Sequence, residues 1–383
     1  MEPIRISQSV LNIEDKNRSN CFAWRGQFSP QFIEALLNAY APSNGFIFDP
    51  FLGSGTVAFE AASLGFDCAG TEINPAAATL ARTYELMNLD KDNRKTLLEC
   101  IATRFFEIAC PQNYPLFGDS SVLPNIQNAI PALLKSVRSR HEKIVIEALC
   151  VLLEEEKAGT EQRRASIWNS LASTIQSWHY TSSSIGTLLS DSRNTPLENN
   201  SVDLVITSPP YINVFNYHQQ YRKSSELIGW KPLSVATSEI GANRKHRSNR
   251  FLTVIQYCMD IAQCIHELDR IAKVGARAIF VVGRESTVLK TPFFNGNLIK
   301  QIVEYGRHSR FRLEQERVFT NRYGQSIFED ILHFDLVPGD STDLVERGRL
   351  VGLEALRSAQ EVAPESSKAD IAAAISSADE VRP

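Results

Sequence analysis

The sequence predicts an α/β fold in which helices cover both faces of a mostly parallel sheet, with a helical insertion. Three observations support this prediction. Residues 20–90 alternate helix, strand, glycine-rich turn, helix and strand; residues 185–339 form a second alternating block; and residues 90–185 between them show a helical pattern. Such alternation is typical of parallel sheets, whose strands are joined by crossover helices. We therefore expect one α/β domain over residues 1–339 that carries the insertion.

The first block has the order of a βαβ unit. It contains, in turn, the helix FIEALLNAY, the strand GFIFDP, the helix in GSGTVAFEAASLG, the strand FDCAGTEINP and a helix that begins at Ala76. Apolar residues at helical spacing indicate helices, whereas short apolar runs bounded by glycine or proline indicate buried strands.

The second block continues the same pattern. It contains the strand SVDLVITSPPY, which reaches a turn, the amphipathic helix LTVIQYCMDIAQCIHELDRIAK, the strand ARAIFVVG and a closing strand EDILHFDLV. After it, the last 44 residues are rich in Ala, Ser and Glu, lack aromatic residues and carry nine acids against five bases. That composition favours a flexible or loosely helical tail over residues 340–383.

Composition excludes several classes of protein. The 383 residues are 43% apolar and 22% charged, which suffices for a large core. The apolar runs are of strand length, far short of the roughly 20 residues that a membrane span needs. The N-terminus MEPIRISQSV lacks a secretion signal, and the seven cysteines form no metal-binding pattern. We therefore expect a cytoplasmic protein with reduced thiols, no membrane span and no metal.

A glycine-rich loop, DPFLGSGT at residues 49–56, joins the first strand to the helix after it. Glycines let the backbone turn sharply and approach a ligand, and the helix that follows presents unpaired N–H groups. Glu72 ends the next strand, 23 residues after Asp49, where a carboxylate can accept hydrogen bonds from both ribose hydroxyls of a nucleoside. The alternative is a tight turn without a ligand. No GK[ST] follows, which argues against a nucleoside triphosphatase.

A second motif, TSPPYIN at residues 207–213, follows the apolar strand VDLVI. Two prolines fix the backbone and remove two N–H donors, which leaves the carbonyls of Ser208 and Pro209 as acceptors. Tyr211 adds a flat ring beside them. Acceptors next to a stacking ring suit an exocyclic amino group on a planar base. The alternative is a Pro-Pro turn that only ends a strand.

Together, DPFLGSGT and TSPPY resemble the paired signatures of the DNA amino-methyltransferases, which methylate cytosine N4 or adenine N6 with S-adenosyl-L-methionine. The resemblance extends over most of residues 20–336. It implies a Rossmann-like methyltransferase fold with a mostly parallel seven-stranded sheet. It also implies a catalytic loop of Ser208, Pro209, Pro210 and Tyr211. The glycine loop of that family binds the methionyl part of the cofactor, which implies roles for Asp49, Phe51, Gly53, Gly55 and Thr56.

Further cofactor residues follow from the same resemblance. Glu72 matches the ribose-binding acid, and Asp191 in LLSDSRNTP matches the residue that contacts the cofactor adenine. RGQFSPQFIEALL, residues 25–37, resembles an N-terminal motif in which Phe28 and Ser29 close over the methionine end. Ser29 also suits a helix N-cap, followed by proline at the first helical position, and the two interpretations are compatible.

The resemblance favours cytosine N4 over adenine N6 as the methylated atom. Serine before the PPY sequence is commoner in the cytosine enzymes, aspartate is commoner in the adenine enzymes, and asparagine occurs in both. The implied substrate is double-stranded DNA from which a base is flipped out. A restriction-modification system with a separately encoded endonuclease fits the resemblance, and so does an enzyme that acts without one.

Charge is unevenly distributed along the chain. The formal charge is −4, yet from Arg222 to Arg250 seven basic residues face two acids, a net charge of +5. We expect this segment to contact DNA phosphates. A solvated face is the alternative, and the insertion at residues 90–185 is a second candidate for target recognition. The predicted DNA-binding residues are Arg222, Lys223, Arg244, Lys245, Arg247 and Arg250.

Two other functions remain open from the sequence. RNA and protein-glutamine methyltransferases use related glycine loops and PPY turns, so the chemistry could act on another substrate. A catalytically silent DNA-binding subunit would retain the fold without the reaction. Methylation of plasmid DNA rather than transfer RNA would separate the first alternative from the DNA enzyme.

Overall fold

The centre of the fold is a seven-stranded sheet. A computed structural model describes residues 4–110, 125–154, 159–212, 219–235, 238–241, 246, 248–304, 310–321, 323–339 and 343–382. The strands of the sheet are β1 (Ile47–Asp49), β2 (Cys68–Glu72), β3 (Ile185–Leu189), β4 (Val202–Thr207), β5 (Ala272–Gly283), β8 (Phe311–Thr320) and β9 (Ser326–Asp335). A separate hairpin consists of β6 (Glu285–Val288) and β7 (Thr291–Phe294).

The strand order is β3–β2–β1–β4–β5–β9–β8, which confirms the predicted seven-stranded, mostly parallel sheet. Of these seven strands, only β9 runs in the opposite direction to the other six. From β1, the strands β2 and β3 follow in order toward one edge of the sheet. The strands β4, β5, β9 and β8 extend toward the other edge, so the strand order reverses between β1 and β4. In open α/β sheets, ligands bind at the carboxyl ends of the strands beside such a reversal.

The helices alternate with the strands as predicted in both blocks. The described α-helices are α1 (Gln8–Asn12), α2 (Pro30–Tyr40), α3 (Thr56–Ser63), α4 (Pro75–Arg82), α5 (Lys91–Ala109), α6 (Ile126–Lys135), α7 (Arg140–Leu152), α8 (Glu161–Ser177), α9 (Arg222–Leu227), α10 (Pro232–Val235), α11 (Leu252–Ile271), α12 (Asn295–Glu304), α13 (Leu344–Val362) and α14 (Glu365–Ser376). None of these helices combines the length and the apolarity that crossing a membrane requires.

Helices cover both faces of the sheet, as predicted. Ile279 and Val281 of β5 pack into the core that contains α2, α3 and α4. Phe280 and Val282, the alternate residues of the same strand, pack into the core formed with α11, α12 and α13. Because successive side chains of a strand point to opposite faces, a continuous apolar run indicates a strand buried on both sides.

The insertion consists of α5 to α8 and is helical, as expected. Its described residues share a core with the rest of the domain. Phe105, Leu149 and Trp168 of the insertion belong to the same apolar cluster as Leu80 of α4. The insertion therefore extends the layer of helices on one face of the sheet.

Of the two expectations for residues 340–383, the flexible tail is wrong for residues 343–382, which are helical and packed against the domain. These residues form α13, α14 and a short 3-10 helix, Ala378–Glu380, and α13 lies along α11. The buried apolar side chains of this C-terminal segment are Leu344, Val351, Leu356, Ala359, Ala363, Ile371, Ala374, Ala378 and Val381. The segment completes the core on the second face of the sheet.

Two glycines explain why the composition of this segment is misleading. A Cβ at Gly348 would lie 2.5 Å from the carbonyl oxygen of Cys258, and a Cβ at Gly352 would lie 2.7 Å from the Cα of Ile255. The backbone of α13 therefore lies directly on α11. A close helix contact of this kind uses small residues, so the segment lacks the large aromatic residues that usually mark a core helix.

Candidate active site

The two sequence motifs follow neighbouring strands. The glycine-rich loop follows β1, and the loop Ser208–Tyr211 follows β4, which pairs with β1 in parallel register. Both loops therefore meet at the reversal of strand order and line one cleft, here called the active-site cleft. The predicted site residues that line it are Phe28, Asp49, Phe51, Gly53, Thr56, Glu72, Asp191, Ser208, Pro209, Pro210 and Tyr211.

Both glycines of the loop adopt left-handed backbone angles that disfavour any side chain, with φ of 54° at Gly53 and 87° at Gly55. A Cβ at Gly53 would lie 3.2 Å from the Trp24 ring, and Trp24 itself lines the cleft. A Cβ at Gly55 would lie 2.8 Å from the Tyr84 ring. Gly55 caps α3 and does not line the cleft, so its part is the sharp turn.

Glu72 ends β2 at the edge of the cleft. One carboxylate oxygen accepts the backbone N–H of Gly53 at 2.8 Å, and the other accepts that of Asn74 at 2.7 Å. Burial raises the pKa of Glu72 to about 7, and the nearby charge of Asp49 acts in the same direction. A carboxylate has about four acceptor positions, so Glu72 can still accept a hydrogen bond from a hydroxyl group of a ligand.

Asp49, at the end of β1, is 2% exposed. Its Oδ1 accepts the backbone N–H of Phe51 at 3.0 Å and the hydroxyl of Thr207 at 2.6 Å, which ties the ends of β1 and β4 together. Burial raises the pKa of Asp49 to about 7 despite these two bonds. The cleft thus holds two carboxyl groups whose ionised forms are costly until a positively charged or hydrogen-bond-donating ligand arrives.

The segment before α2, residues 20–28, lies over the glycine loop. Asn20 Oδ1 accepts the hydroxyl of Thr56 at 2.9 Å, and Gln27 Oε1 accepts that of Ser54 at 3.0 Å. Phe28 is buried and lines the cleft.

Ser29, predicted beside Phe28, does not line the cleft. Its carbonyl oxygen accepts the N–H of Phe32 at 3.1 Å at the start of α2. Ser29 is the N-cap residue by backbone position, although its side chain makes no capping bond. Of the two compatible interpretations, the structure therefore supports the helix start.

The loop Ser208–Tyr211 presents the second motif to the cleft. The Ser208 and Tyr211 hydroxyl oxygens are 3.4 Å apart. The Tyr211 ring lies on the end of β5, where a Cβ at Gly283 would be 2.9 Å from its Cε2. The missing side chain at Gly283 therefore makes the space that the ring occupies.

Asp191 lies between β3 and β4 and lines the cleft on the β3 side of Glu72, which pairs with Leu189 in β3. Its carboxylate receives two hydrogen bonds from the Arg193 side chain, at 3.0 and 2.6 Å. The acid predicted for adenine and the acid predicted for ribose therefore follow adjacent strands.

The predicted DNA-binding residues are only partly described. Arg222 starts α9 and pairs with Glu226 of the same helix at 2.7 Å, Lys223 is exposed, and Arg250 is half-buried near the start of α11. An exposed pair within one helix contributes little, so Arg222 remains able to exchange its partner for a phosphate. Outside the described residues lie Arg244, Lys245 and Arg247.

Several residues of the cleft carry no sequence signal. Some of them, such as Gln27 and Ser192, lie inside the sequence motifs but match no expected role, and the tryptophan beside the RGQF sequence is a signal that could have drawn attention to Trp24. The residues that line the cleft without having been predicted include Trp24, Gln27, Asn74, Ser192, Ser238, Glu239 and Ile240.

Comparison with known proteins gives two sequence matches. Residues 7–83 match the family described as DNA methylase (N6_N4_Mtase). Over 132 residues the chain is 30% identical to the type II methyltransferase M.MjaII of Methanocaldococcus jannaschii. That match covers 34% of this chain and 23% of the relative, so it spans less than a quarter of the relative's length.

Similar solved structures are more distant. A SAM-dependent methyltransferase of Methanosarcina mazei shares 11% identity, with 79% of this chain and 97% of that chain covered and a TM-score of 0.35. The rRNA methyltransferase aviRa of Streptomyces viridochromogenes shares 10% identity, with 90% and 97% covered and a TM-score of 0.30. These likenesses are too distant to carry an argument. Over the parts of the chain that they cover, the sequence matches show that it is similar to DNA methylases.

Proposed function

We propose that this protein transfers a methyl group from S-adenosyl-L-methionine to the exocyclic N4 of cytosine in double-stranded DNA. The observation that carries the proposal is that the glycine loop and the loop Ser208–Tyr211 line the same cleft. Adenine N6 is the alternative target, because it has the same amino group on a planar ring.

The cofactor's binding groups fit the chain's residues at both ends of the cleft. Glu72 has acceptor positions left for the ribose hydroxyls, and Asp191 provides a carboxylate for the adenine amino group. At the other end, Asp49 and the glycine loop, under Phe28, receive the methionyl part. When bound, S-adenosyl-L-methionine supplies a methyl group on a positively charged sulfur.

The catalytic loop acts on the amino group of the base. Such an amine is a poor nucleophile because its lone pair is delocalised into the ring. Hydrogen bonds from its two N–H groups to the Ser208 hydroxyl and the Pro209 carbonyl favour a tetrahedral nitrogen and free the lone pair. The ring of Tyr211, held against Gly283, stacks on the base and keeps it in plane.

Positioning then supplies much of the rate. A nitrogen held in line with the methyl group, at about 3–3.5 Å, reacts without the entropic cost of a bimolecular encounter. The methylated nitrogen releases one proton to water, so no strong base is needed. The base reaches the cleft only after leaving the duplex, which implies base flipping.

DNA contact is assigned to the basic segment. Arg222 and Lys223 begin α9, the next described helix after the catalytic loop, and Arg250 precedes α11. Phosphate contacts by these residues predict binding that weakens steeply with salt. A restriction-modification system, with a separately encoded endonuclease, is the setting we propose for the activity.

The test is product identification. The protein is incubated with labelled S-adenosyl-L-methionine and mixed plasmid DNA, and the DNA is digested to nucleosides for mass spectrometry. Labelled N4-methylcytosine supports the proposal, whereas N6-methyladenine retains the mechanism and overturns the choice of base. No labelled nucleoside from plasmid DNA, with transfer to tRNA or protein instead, contradicts the proposal.

A matched pair of variants assigns the activity to the loop. Ser208→Ala removes the hydroxyl at the carboxyl end of β4, and Ser201→Ala removes one just before the amino end of the same strand. We expect the first variant to lose most of its transfer rate and the second to keep it. Equal activity of the two variants would contradict the role of Ser208.

A further inference from the structure

Beside the active-site cleft, Arg193 connects three elements of the fold. Its Nε and Nη2 donate to the two carboxylate oxygens of Asp191 at 3.0 and 2.6 Å, and its Nη1 donates to Asp260 of α11 at 2.7 Å. Nη2 also donates to the backbone carbonyl oxygen of Ser238 at 3.1 Å. Two parallel bonds from one guanidinium fix the plane of the carboxylate as well as its position.

The network is charged and is most deeply buried at Asp260. Asp260 is 2% exposed, and its Oδ1 also accepts the Gln256 amide at 3.0 Å. Burial lowers the pKa of Arg193, but its hydrogen bonds to Asp191 and the charge of Asp260 outweigh burial and raise it above its ordinary value. Arg193 is therefore charged throughout the range in which the protein is folded, and it fixes both carboxylates.

The segment that Arg193 holds reaches the catalytic loop. Ser238, Glu239 and Ile240 line the cleft. At the end of this segment, Gly241 has a φ of 76°, and a Cβ there would lie 2.3 Å from the backbone carbonyl oxygen of Tyr211. The segment Ser238–Gly241 therefore runs from the Asp191 side of the cleft to the backbone of Tyr211.

We propose that Arg193 is a positioning residue that serves both halves of the site. It orients the Asp191 carboxylate toward the cofactor adenine, and through Ser238 it holds the segment Ser238–Gly241 against Tyr211. This inference rests on the proposed function and adds a residue that does not itself line the cleft. It predicts that one substitution impairs both cofactor affinity and the rate at saturating cofactor, which the loss of a cofactor contact alone does not do.

The test uses a double variant. Arg193→Met alone leaves Asp260 buried without its partner and threatens folding. Arg193→Met/Asp260→Asn removes both charges and keeps an oxygen that accepts the Gln256 amide. We expect its dissociation constant for S-adenosyl-L-methionine, measured by calorimetry, to rise about tenfold or more, as the loss of hydrogen bonds to a charged group predicts. We expect kcat on plasmid DNA at saturating cofactor to fall about tenfold, because Tyr211 loses its support.

Two further variants serve as controls. Arg193→Lys keeps the positive charge but loses the two parallel N–H bonds to Asp191. Its dissociation constant for the cofactor and its kcat should therefore lie between those of the wild type and the double variant. Arg270→Met/Glu267→Gln removes another arginine–carboxylate pair from α11, bonded at 2.6 Å, and should leave both constants unchanged. Thermal unfolding confirms that each variant is folded.

The outcomes separate this inference from the proposed function. If the folded double variant has the same cofactor dissociation constant and kcat as the Arg270→Met/Glu267→Gln control, the Arg193 network is only structural. A change in cofactor affinity with an unchanged kcat would overturn the link to Tyr211. Wild-type protein that transfers no methyl group to DNA would contradict the proposed function instead, and the cofactor titration would still decide the role of Arg193 toward Asp191.

Discussion

Asp49 gives a prediction in which stability and cofactor binding change in opposite directions. Its Oδ1 accepts both of its hydrogen bonds, from Phe51 and Thr207, so Asp49→Asn can keep both through the amide oxygen. The substitution removes the ability to ionise and places an amide NH2 group where Oδ2 was. We expect the variant to be more stable than the wild type at alkaline pH and to bind the cofactor less well.

The magnitude follows from the pKa of the buried carboxyl. Burial raises the pKa of Asp49 from 3.8 to about 7. Each pKa unit corresponds to 1.36 kcal/mol, so ionisation of Asp49 opposes folding by at most about 4 kcal/mol above that pKa. Between the two pKa values the folded chain binds more protons than the unfolded chain, so this contribution to stability falls as the pH rises from about 4 to about 7.

Urea unfolding at two pH values measures this effect. At about pH 3, below both pKa values, the two proteins should have similar free energies of unfolding, and at about pH 8.5 the variant should exceed the wild type by about 2–4 kcal/mol. Cofactor affinity should fall, because a neutral amide no longer attracts the ammonium of the methionyl group. A variant less stable than the wild type at the higher pH would refute the reasoning.

Four further substitutions test other parts of the account. Glu72→Ala should raise the dissociation constant for S-adenosyl-L-methionine about tenfold or more without weakening DNA binding, because the ribose loses its charged acceptor; DNA affinity lost first, in fluorescence anisotropy, would contradict the assignment. Ser208→Ala should lower kcat about tenfold with cofactor affinity retained, measured by steady-state methylation, because the proposed role of the hydroxyl is to bind the base and not the cofactor. Gly55→Ala combines a φ of 87° with a Cβ 2.8 Å from Tyr84, so unfolding experiments should show a loss of about 1–3 kcal/mol; an unchanged stability would mean that α3 shifts freely. Leu356→Ala should lower stability by about 2–5 kcal/mol, whereas a mobile C-terminal segment would leave it unaffected.

Much of the fold could be predicted because its signals are local. The first strand, the glycine turn and α3 follow each other within residues 47–63, so a short stretch of sequence contains the whole unit. The two apolar faces of β5 appear in the sequence as one apolar run. The cofactor loop and the catalytic loop lie far apart in the chain, but each follows a parallel strand, and parallel strands bring their carboxyl ends to one edge.

The C-terminal segment could not be predicted from composition, because its packing depends on a surface elsewhere in the chain. The glycines Gly348 and Gly352 matter because they let α13 lie directly on the backbone of α11. Their spacing of four residues places them on one face of a helix, which was a signal for close packing. An Ala- and Ser-rich composition alone favours flexibility, and here it gave the wrong answer.

The rest of the candidate site depends on contacts between distant residues. Trp24 lies beside Gly53, and Gly241 lies on Tyr211, yet neither pair is linked by a motif. Arg193 stands two residues after Asp191 in the sequence, but its bonds to Asp260 and Ser238 appear only in three dimensions. Tertiary contacts of this kind leave no periodic pattern for a sequence to show.

The most direct test of the central claim is a crystal structure with a cofactor analogue such as sinefungin, whose amine replaces the methyl group. The account predicts that its ribose hydroxyls bind Glu72 and that its adenine lies beside Asp191. The amine should point toward Ser208 and leave room for a base against Tyr211. An analogue bound outside this cleft, or with its amine directed away from Ser208, would contradict the claim that the two motifs form one methyl-transfer site.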